Sequence, residues 1–216
     1  MTSFATRLAR SCGVVALSLG VVVGGASRSA AAGKGNGLRV QAAEFDPGRV
    51  CDAKPAWVRG IGLFAPDDKF AAAFLMHKLC PTPTNAAAFG LLSGVIGETL
   101  IGPEALGFDY KNVNAGFVAH CGAGAPRFQA LMSDGTFSFI GGCVHGTASP
   151  DVPGTGWTRV RFNPQDPTQA FPVVPVNATI ESISLVFDEG PENDPNGSPE
   201  IVLDNIFING KFATKP

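Results

Sequence analysis

Short stretches in which apolar and polar residues alternate recur along most of the chain, and Gly, Pro, Asn and Asp separate them. Successive side chains of a β-strand point to opposite faces, so this alternation predicts strands. They are expected in AWVRGIGLFAP, KFAAAFLMHKL, RFQALM, TFSFIG, GWTRVRFN, TIESISLVFDEG and EIVLDNIFING, with one or two more in GETLIGPEALGFDYKN. The 27 glycines and 17 prolines leave little room for long helices.

The regular spacing of strands and turns predicts an all-β fold, either a two-sheet antiparallel β-sandwich or a barrel. A short helix is expected to begin near Asn85 in NAAAFGLLSGVIG, because Asn is a good N-cap, but the three glycines that follow argue against a long one. Residues 42–216 are expected to form a single sandwich domain, and residues 33–41 a flexible arm in front of it.

The segment RFQALMSDGTFSFIGG carries the strongest hairpin signal. Asp134 and Gly135 form the preferred two-residue turn, which sets Met132 opposite Phe137 and Ala130 opposite Phe139. The phenylalanines at alternate positions in TFSFI and SLVFD are therefore expected in the core.

The first 32 residues have the features of a secretory signal. They begin with two arginines, continue with an apolar stretch over residues 13–23 and end in three alanines. The stretch is short and rich in glycine for a membrane span, and Cys12 precedes it, unlike the cysteine of a lipoprotein. We therefore expect a secreted, extracellular protein. No later apolar run is long enough to cross a membrane.

Cysteine usage agrees with export. The cysteines that follow residue 32 are Cys51, Cys80, Cys121 and Cys143. An even number in an exported chain predicts two disulfides, and sequence order favours pairing the first two and the last two. The Asp134-Gly135 hairpin supports the second pair. Zinc held by these thiols with His120 and His145 is the alternative, but the spacing is not that of a zinc site.

Charge excludes one class of partner. The first 32 residues carry three arginines and no acid, so the remainder has 13 basic and 18 acidic residues, a formal charge of −5. No basic patch invites nucleic acid or an anionic membrane.

A carboxylate, Asp204, lies in the middle of the apolar strand EIVLDNIFING. Neither face of this strand is polar, so both faces are expected to be covered. A buried carboxylate needs a partner. From the residues alone, that partner is Arg159, Arg161, or the backbone amides of a neighbouring loop. The acidic stretch just upstream, FDEGPENDPNGSPE, is expected to be a solvated connection.

The two closing strands, IESISLVFDEG and EIVLDNIFING, resemble the end of jelly-roll domains related to carbohydrate-binding modules and galactose-binding-like domains. The central GFDYKN, CGAGAPRFQALMSDG and GW segments resemble a group of uncharacterised exported bacterial proteins. The resemblance implies a jelly-roll β-sandwich and a structural Ca²⁺ with Asp204 as one ligand and Glu44 or Asp46 as the other. Calcium binds six to eight oxygens, which suits carboxylates from distant parts of a chain.

The resemblance also implies carbohydrate binding. Sugars are held by exposed aromatic faces with polar groups beside them. A small groove is expected from residues in or near GFDYKN, GAPRF and GTGWTR: Asp109, Tyr110, Lys111, Asn112, Arg127 and Trp157. No G-x-S-x-G elbow and no recognisable pair of catalytic carboxylates is present.

We therefore expect an exported, non-catalytic module that binds carbohydrate or another cell-envelope component. The alternative is a structural or adhesive secreted protein with no small ligand, and a hydrolase ranks third. Sugar binding requires an exposed aromatic beside hydrogen-bonding groups, and adhesion an exposed apolar patch or strand edge.

Overall fold

Thirteen strands account for nearly all the regular structure in the described part of the chain. The computed structural model describes residues 37–64, 66, 70–111, 120–150, 156–194 and 197–215. The strands are β1 (Arg39–Phe45), β2 (Ala53–Val58), β3 (Ala73–Lys78), β4 (Ala87–Ser93), β5 (Leu106–Lys111), β6 (Arg127–Met132), β7 (Phe137–Gly141), β8 (Thr147–Pro150), β9 (Trp157–Phe162), β10 (Ala170–Phe171), β11 (Ile180–Phe187), β12 (Glu200–Ile208) and β13 (Lys211–Phe212). The described helices are single 3₁₀ turns at Cys143–His145 and Pro191–Asn193.

The strands form two sheets packed face to face. Sheet I has the order β1-β4-β11-β6-β7-β10, and sheet II has the order β2-β3-β12-β5-β9-β8, with β13 added to β12. The strand pairs are antiparallel. The all-β, two-sheet antiparallel sandwich is therefore confirmed, and the arrangement is compatible with a jelly roll.

Aromatic rings fill the space between the sheets. Phe108 and Phe162 of sheet II contact Phe128 of sheet I, with ring centroids 6.0 and 6.2 Å away, and all three rings are fully buried. Each ring contributes about 1.5–3 kcal/mol of hydrophobic stabilisation. The inward-facing residues of both sheets form one apolar core.

Two sequence-based boundaries are wrong. The segment expected to begin a helix at Asn85 instead forms β4, and its central Gly90 is required by packing: a Cβ there would lie 2.9 Å from the Phe74 ring. The glycines that argued against a long helix thus allow a strand to approach the core closely. Residues 39–41, expected to belong to the flexible arm, are instead part of β1, which begins at Arg39, and Leu38 before them is fully buried.

The β6–β7 hairpin forms, but its register differs by one residue. Leu131 pairs with Phe137 and Gln129 with Phe139. The connection has three residues, and Gly135 adopts a left-handed backbone with φ of 83°. Such loops combine a type I turn with a left-handed residue. The shift moves Phe137 and Phe139 to the outer face of sheet I.

Both cysteine pairs lie at disulfide distance, as predicted. The Cα atoms of Cys51 and Cys80 are 5.5 Å apart, and those of Cys121 and Cys143 are 5.3 Å apart. Each bridge contributes about 3 kcal/mol for loops of this size. The residues expected to form the secretory signal lie outside those described. Within the described ranges no helix is long and apolar enough to cross a membrane.

Candidate functional site

The buried carboxylate of Asp204 takes hydrogen bonds from backbone amides. Its Oδ2 accepts from the N–H of Leu63, and its Oδ1 accepts from the N–H of Asn205 at 2.7 Å. Ile61 and Leu63, from the connection between β2 and β3, pack against the outer face of sheet II together with Trp157. Asp204 therefore binds the backbone of a neighbouring loop, which is one of the alternatives that the residues alone allowed.

The arginines that were the other candidates bind a different carboxylate. Arg159 donates from Nε and Nη2 to the two oxygens of Asp109, at 3.0 and 3.1 Å. Nη1 of Arg161 lies 3.5 Å from Oδ1 of Asp109. The side-chain amide of Asn205 donates to Oδ2 of Asp109 at 2.8 Å. The pKa of Arg159 is raised by its hydrogen bonds to Asp109. This arrangement is a buried polar network within sheet II, in which the Oδ1 atom of Asn205 has no hydrogen-bond partner among the described residues.

The three residues expected to bind calcium do not form a group. Glu44 is exposed on β1 of sheet I, and Asp46 accepts a hydrogen bond from the N–H of Cys51 at 2.9 Å. Among the described residues, no three His, Cys, Asp or Glu side chains lie close enough together to hold a metal ion. This placement does not fit calcium bound jointly by these carboxylates and Asp204, and calcium binding stays a prediction.

The groove expected around Tyr110 does not assemble. Trp157 is only 3% exposed and cannot present its face to a ligand, while Tyr110 packs against the main core. Lys111 donates to the carbonyl of Ile61 at 3.2 Å. Arg127 lies in the other sheet, and Asn112 lies outside the described residues.

The acidic connection between β11 and β12 is tied to the rest of the fold, contrary to the expectation that it is merely solvated. Asp188 forms a double hydrogen bond with Arg127, at 2.6 Å for each pair of atoms. Glu189 accepts from Nε2 of the buried His120 at 2.9 Å. Asp194 is itself buried. The connection thus fixes the start of β6 and the segment that precedes it.

A buried lysine holds the same connection from the other side. Lys78 is fully buried at the end of β3. Its ammonium group donates to the backbone carbonyls of Thr82, Thr84 and Asp188 at 3.1, 2.9 and 2.7 Å. Burial lowers the pKa of Lys78, and nearby acids partly offset this effect.

The charge state of His120 follows from two opposed effects. Burial disfavours the imidazolium, whereas the hydrogen bonds to Glu189 and to the carbonyl of Ser198 favour it. The second effect prevails, so the pKa of His120 is raised. The ring also makes an edge contact with Phe187 at 5.1 Å.

The feature that sequence reasoning missed is a row of side chains across the outer face of sheet I. Neighbouring strands place these residues directly opposite one another, in the order Gln41, Leu91, Ser184, Gln129, Phe139 and Phe171. Leu91, Phe139 and Phe171 are 44%, 40% and 78% exposed. At about 4.8 Å per strand, the distance from Leu91 to Phe171 is about 19 Å.

A groove of about 420 Å³ lies at the Phe171 end of this row. Arg127, Phe139, His145 and Phe171 line it, together with the segment around Gly124 and the residues before β10. The guanidinium of Arg127 lies 5.5 Å from the centre of the Phe139 ring. Aromatic faces therefore meet polar groups on one surface, which we call the sheet I surface and define by the six residues of the row and this groove.

Comparison with known proteins adds no identity, because no protein-family model, curated protein or solved structure matches the chain.

Proposed function

We propose that the protein is an exported, non-catalytic module that binds a carbohydrate chain along the sheet I surface. The observation that carries the proposal is the direct pairing of exposed Phe139 and Phe171 beside Gln129 and Ser184. Sugar rings combine apolar faces with a polar edge, and a pair of aromatic side chains next to polar side chains matches this chemistry. The two disulfides fit an oxidising compartment, which is where such a module would act.

A second candidate is adhesion through the same surface. Phe137 is 44% exposed and makes an edge contact with Phe139 at 5.2 Å, so it enlarges the apolar area. Large exposed apolar patches are typical of protein–protein contacts. The two candidates differ in ligand and not in place.

Glycan-array binding of the purified protein, with and without a chelator, tests the proposal. We expect retention of a glycan by the wild type and its loss in Phe171→Ala, since stacking on an aromatic ring is worth about tenfold in affinity or more. Phe64→Ala is the matched control, because Phe64 is equally exposed, at 77%, but lies outside the sheet I surface.

Retention of no glycan under either condition would contradict carbohydrate binding. A glycan retained equally by wild type and Phe171→Ala would contradict the assigned surface. Loss of glycan binding in the presence of the chelator would support the calcium prediction. Binding that is the same with and without the chelator would not support it.

A further inference from the structure

The side chain of Arg127 is held rigidly in the groove of the sheet I surface. Nη1 and Nη2 each donate to one oxygen of Asp188 at 2.6 Å, and Nη1 also donates to the carbonyl of Gly124 at 2.8 Å. The Phe139 ring lies against the guanidinium. A planar group fixed at three points and by one ring has lost most of its freedom before any ligand arrives, which lowers the entropic cost of binding.

These contacts use three of the five N–H donors that a guanidinium carries. The two that remain are the Nε–H and the second Nη2–H, which lie on the same side of the planar group and point in nearly parallel directions. Among the described residues neither hydrogen has a protein acceptor, and the Nε atom is not sealed from solvent. Arg127 also lines the groove. Arg127 therefore presents a free two-donor fork.

Arg159 provides the contrast on the opposite sheet. There the same fork, Nε and Nη2, is occupied by the two oxygens of Asp109. The Nε and Nη2 donors of Arg159 are thus used in a structural ion pair, whereas the same two donors of Arg127 are available to a ligand.

We propose that the free fork of Arg127 anchors the ligand through two adjacent hydroxyl oxygens of a neutral sugar. This inference rests on the proposed function. The fork matches two acceptor oxygens side by side, as in a carboxylate or a vicinal diol. Asp188 already neutralises the guanidinium, Glu189 lies beside the same groove wall at Gly124, and the six-residue row has no charged side chain. An anionic sugar would gain little electrostatic attraction next to these two acidic residues, so a neutral diol is the better match.

The test observes the Nε–H of Arg127 directly, by ¹⁵N NMR of the intact protein during titration with a neutral hexasaccharide that the array retains. We expect this signal to shift on binding and to be missing in Arg127→Lys, whose affinity falls at least about tenfold. Arg159→Lys also loses a fork and a carboxylate contact, so it is the matched control for structural damage. It should bind the hexasaccharide as the wild type does.

A hexasaccharide that binds the wild type without moving the Arg127 Nε–H signal overturns the inference and leaves the proposed function standing. Equal affinity of Arg127→Lys and wild type has the same consequence. Tighter binding of a hexa-uronate than of the neutral hexasaccharide overturns the assignment to a diol. Binding of no oligosaccharide removes the proposed function and this inference together.

Discussion

Replacement of Lys78 by Met tests how the acidic connection is held, because Met keeps the apolar stem and removes only the ammonium group. Two effects compete. The change removes the ammonium donor from three backbone carbonyls, of which that of Thr84 keeps a second donor, the N–H of Ala86. Each loss costs about 1–3 kcal/mol where the carbonyl stays buried. It also removes a charge whose burial is costly, as the lowered pKa of Lys78 shows.

The carbonyl loss should prevail. Thr82, Thr84 and Asp188 lose their shared donor at once, and all three residues are partly exposed, so water can restore some of the lost hydrogen bonding. Taking the low end of the cost for each carbonyl, about 1 kcal/mol, and offsetting part of it by the relief of desolvation, we expect a net loss of about 2 kcal/mol in the free energy of unfolding.

Urea denaturation and thermal unfolding, with the disulfides intact, measure this loss. For a domain of this size about 2 kcal/mol corresponds to a decrease in Tm of about 4–8 °C. Lys54→Met is the control, since Lys54 is exposed and its ion pair with Asp52 is worth little. A Lys78→Met variant as stable as the wild type, or more stable, would refute the reasoning by showing that desolvation of the ammonium outweighs its three hydrogen bonds.

Three further predictions concern single contacts. Because the folded pKa of His120 is raised, the stability from its pair with Glu189 is present below the unfolded pKa of about 6.5 and is lost as pH rises through the folded value. Urea midpoints should therefore fall above pH 6.5 in the wild type and less in His120→Gln, and equal slopes would contradict this. Asp109→Asn should lower the free energy of unfolding, measured in urea, by about 3 kcal/mol, since Arg159 and Arg161 both lose a buried carboxylate partner. An unchanged midpoint would show that the network is dispensable. Gly124→Ala should lower the Tm, because a Cβ would displace the Glu189 carboxylate and weaken its hydrogen bond to His120. It should also weaken glycan binding, because Gly124 lines the groove. Wild-type behaviour in both assays would contradict the close contact.

The partners of Asp204 illustrate what a sequence can and cannot specify. The strand pattern correctly required that both faces of β12 be covered, and Asp204 is indeed fully buried. The sequence allowed backbone amides as partners but could not say which ones, because the amide of Leu63 that donates to Asp204 is the same group that every non-proline residue carries. The acidic connection raises a similar difficulty: Asp188 and Glu189 have no local signal that pairs them with Arg127 and His120, 61 and 69 residues away.

The sheet I surface carries Phe139 because the loop between β6 and β7 is one residue longer than predicted. A two-residue turn at Asp134-Gly135 would place Phe137 on the face of Met132, in the core. The observed three-residue loop places it on the face of Leu131 instead, and a shift of one residue moves every side chain of β7 to the other side of the sheet.

The same register explains why a serine replaces an aromatic residue inside the sandwich. Ser138 is fully buried between Phe137 and Phe139, and its hydroxyl donates to the carbonyl of Pro172, just beyond β10. That bond ties β7 to the strand that carries Phe171. The polar residue of TFSFI thus serves the core, and the two aromatic residues are left for the surface. The alternation in TFSFI is equally compatible with either face, and the hairpin loop and this one buried hydroxyl decide between them. The composition argument that assigned these phenylalanines to the core therefore does not weigh against a binding role, because the fold has made Phe137 and Phe139 available to a partner.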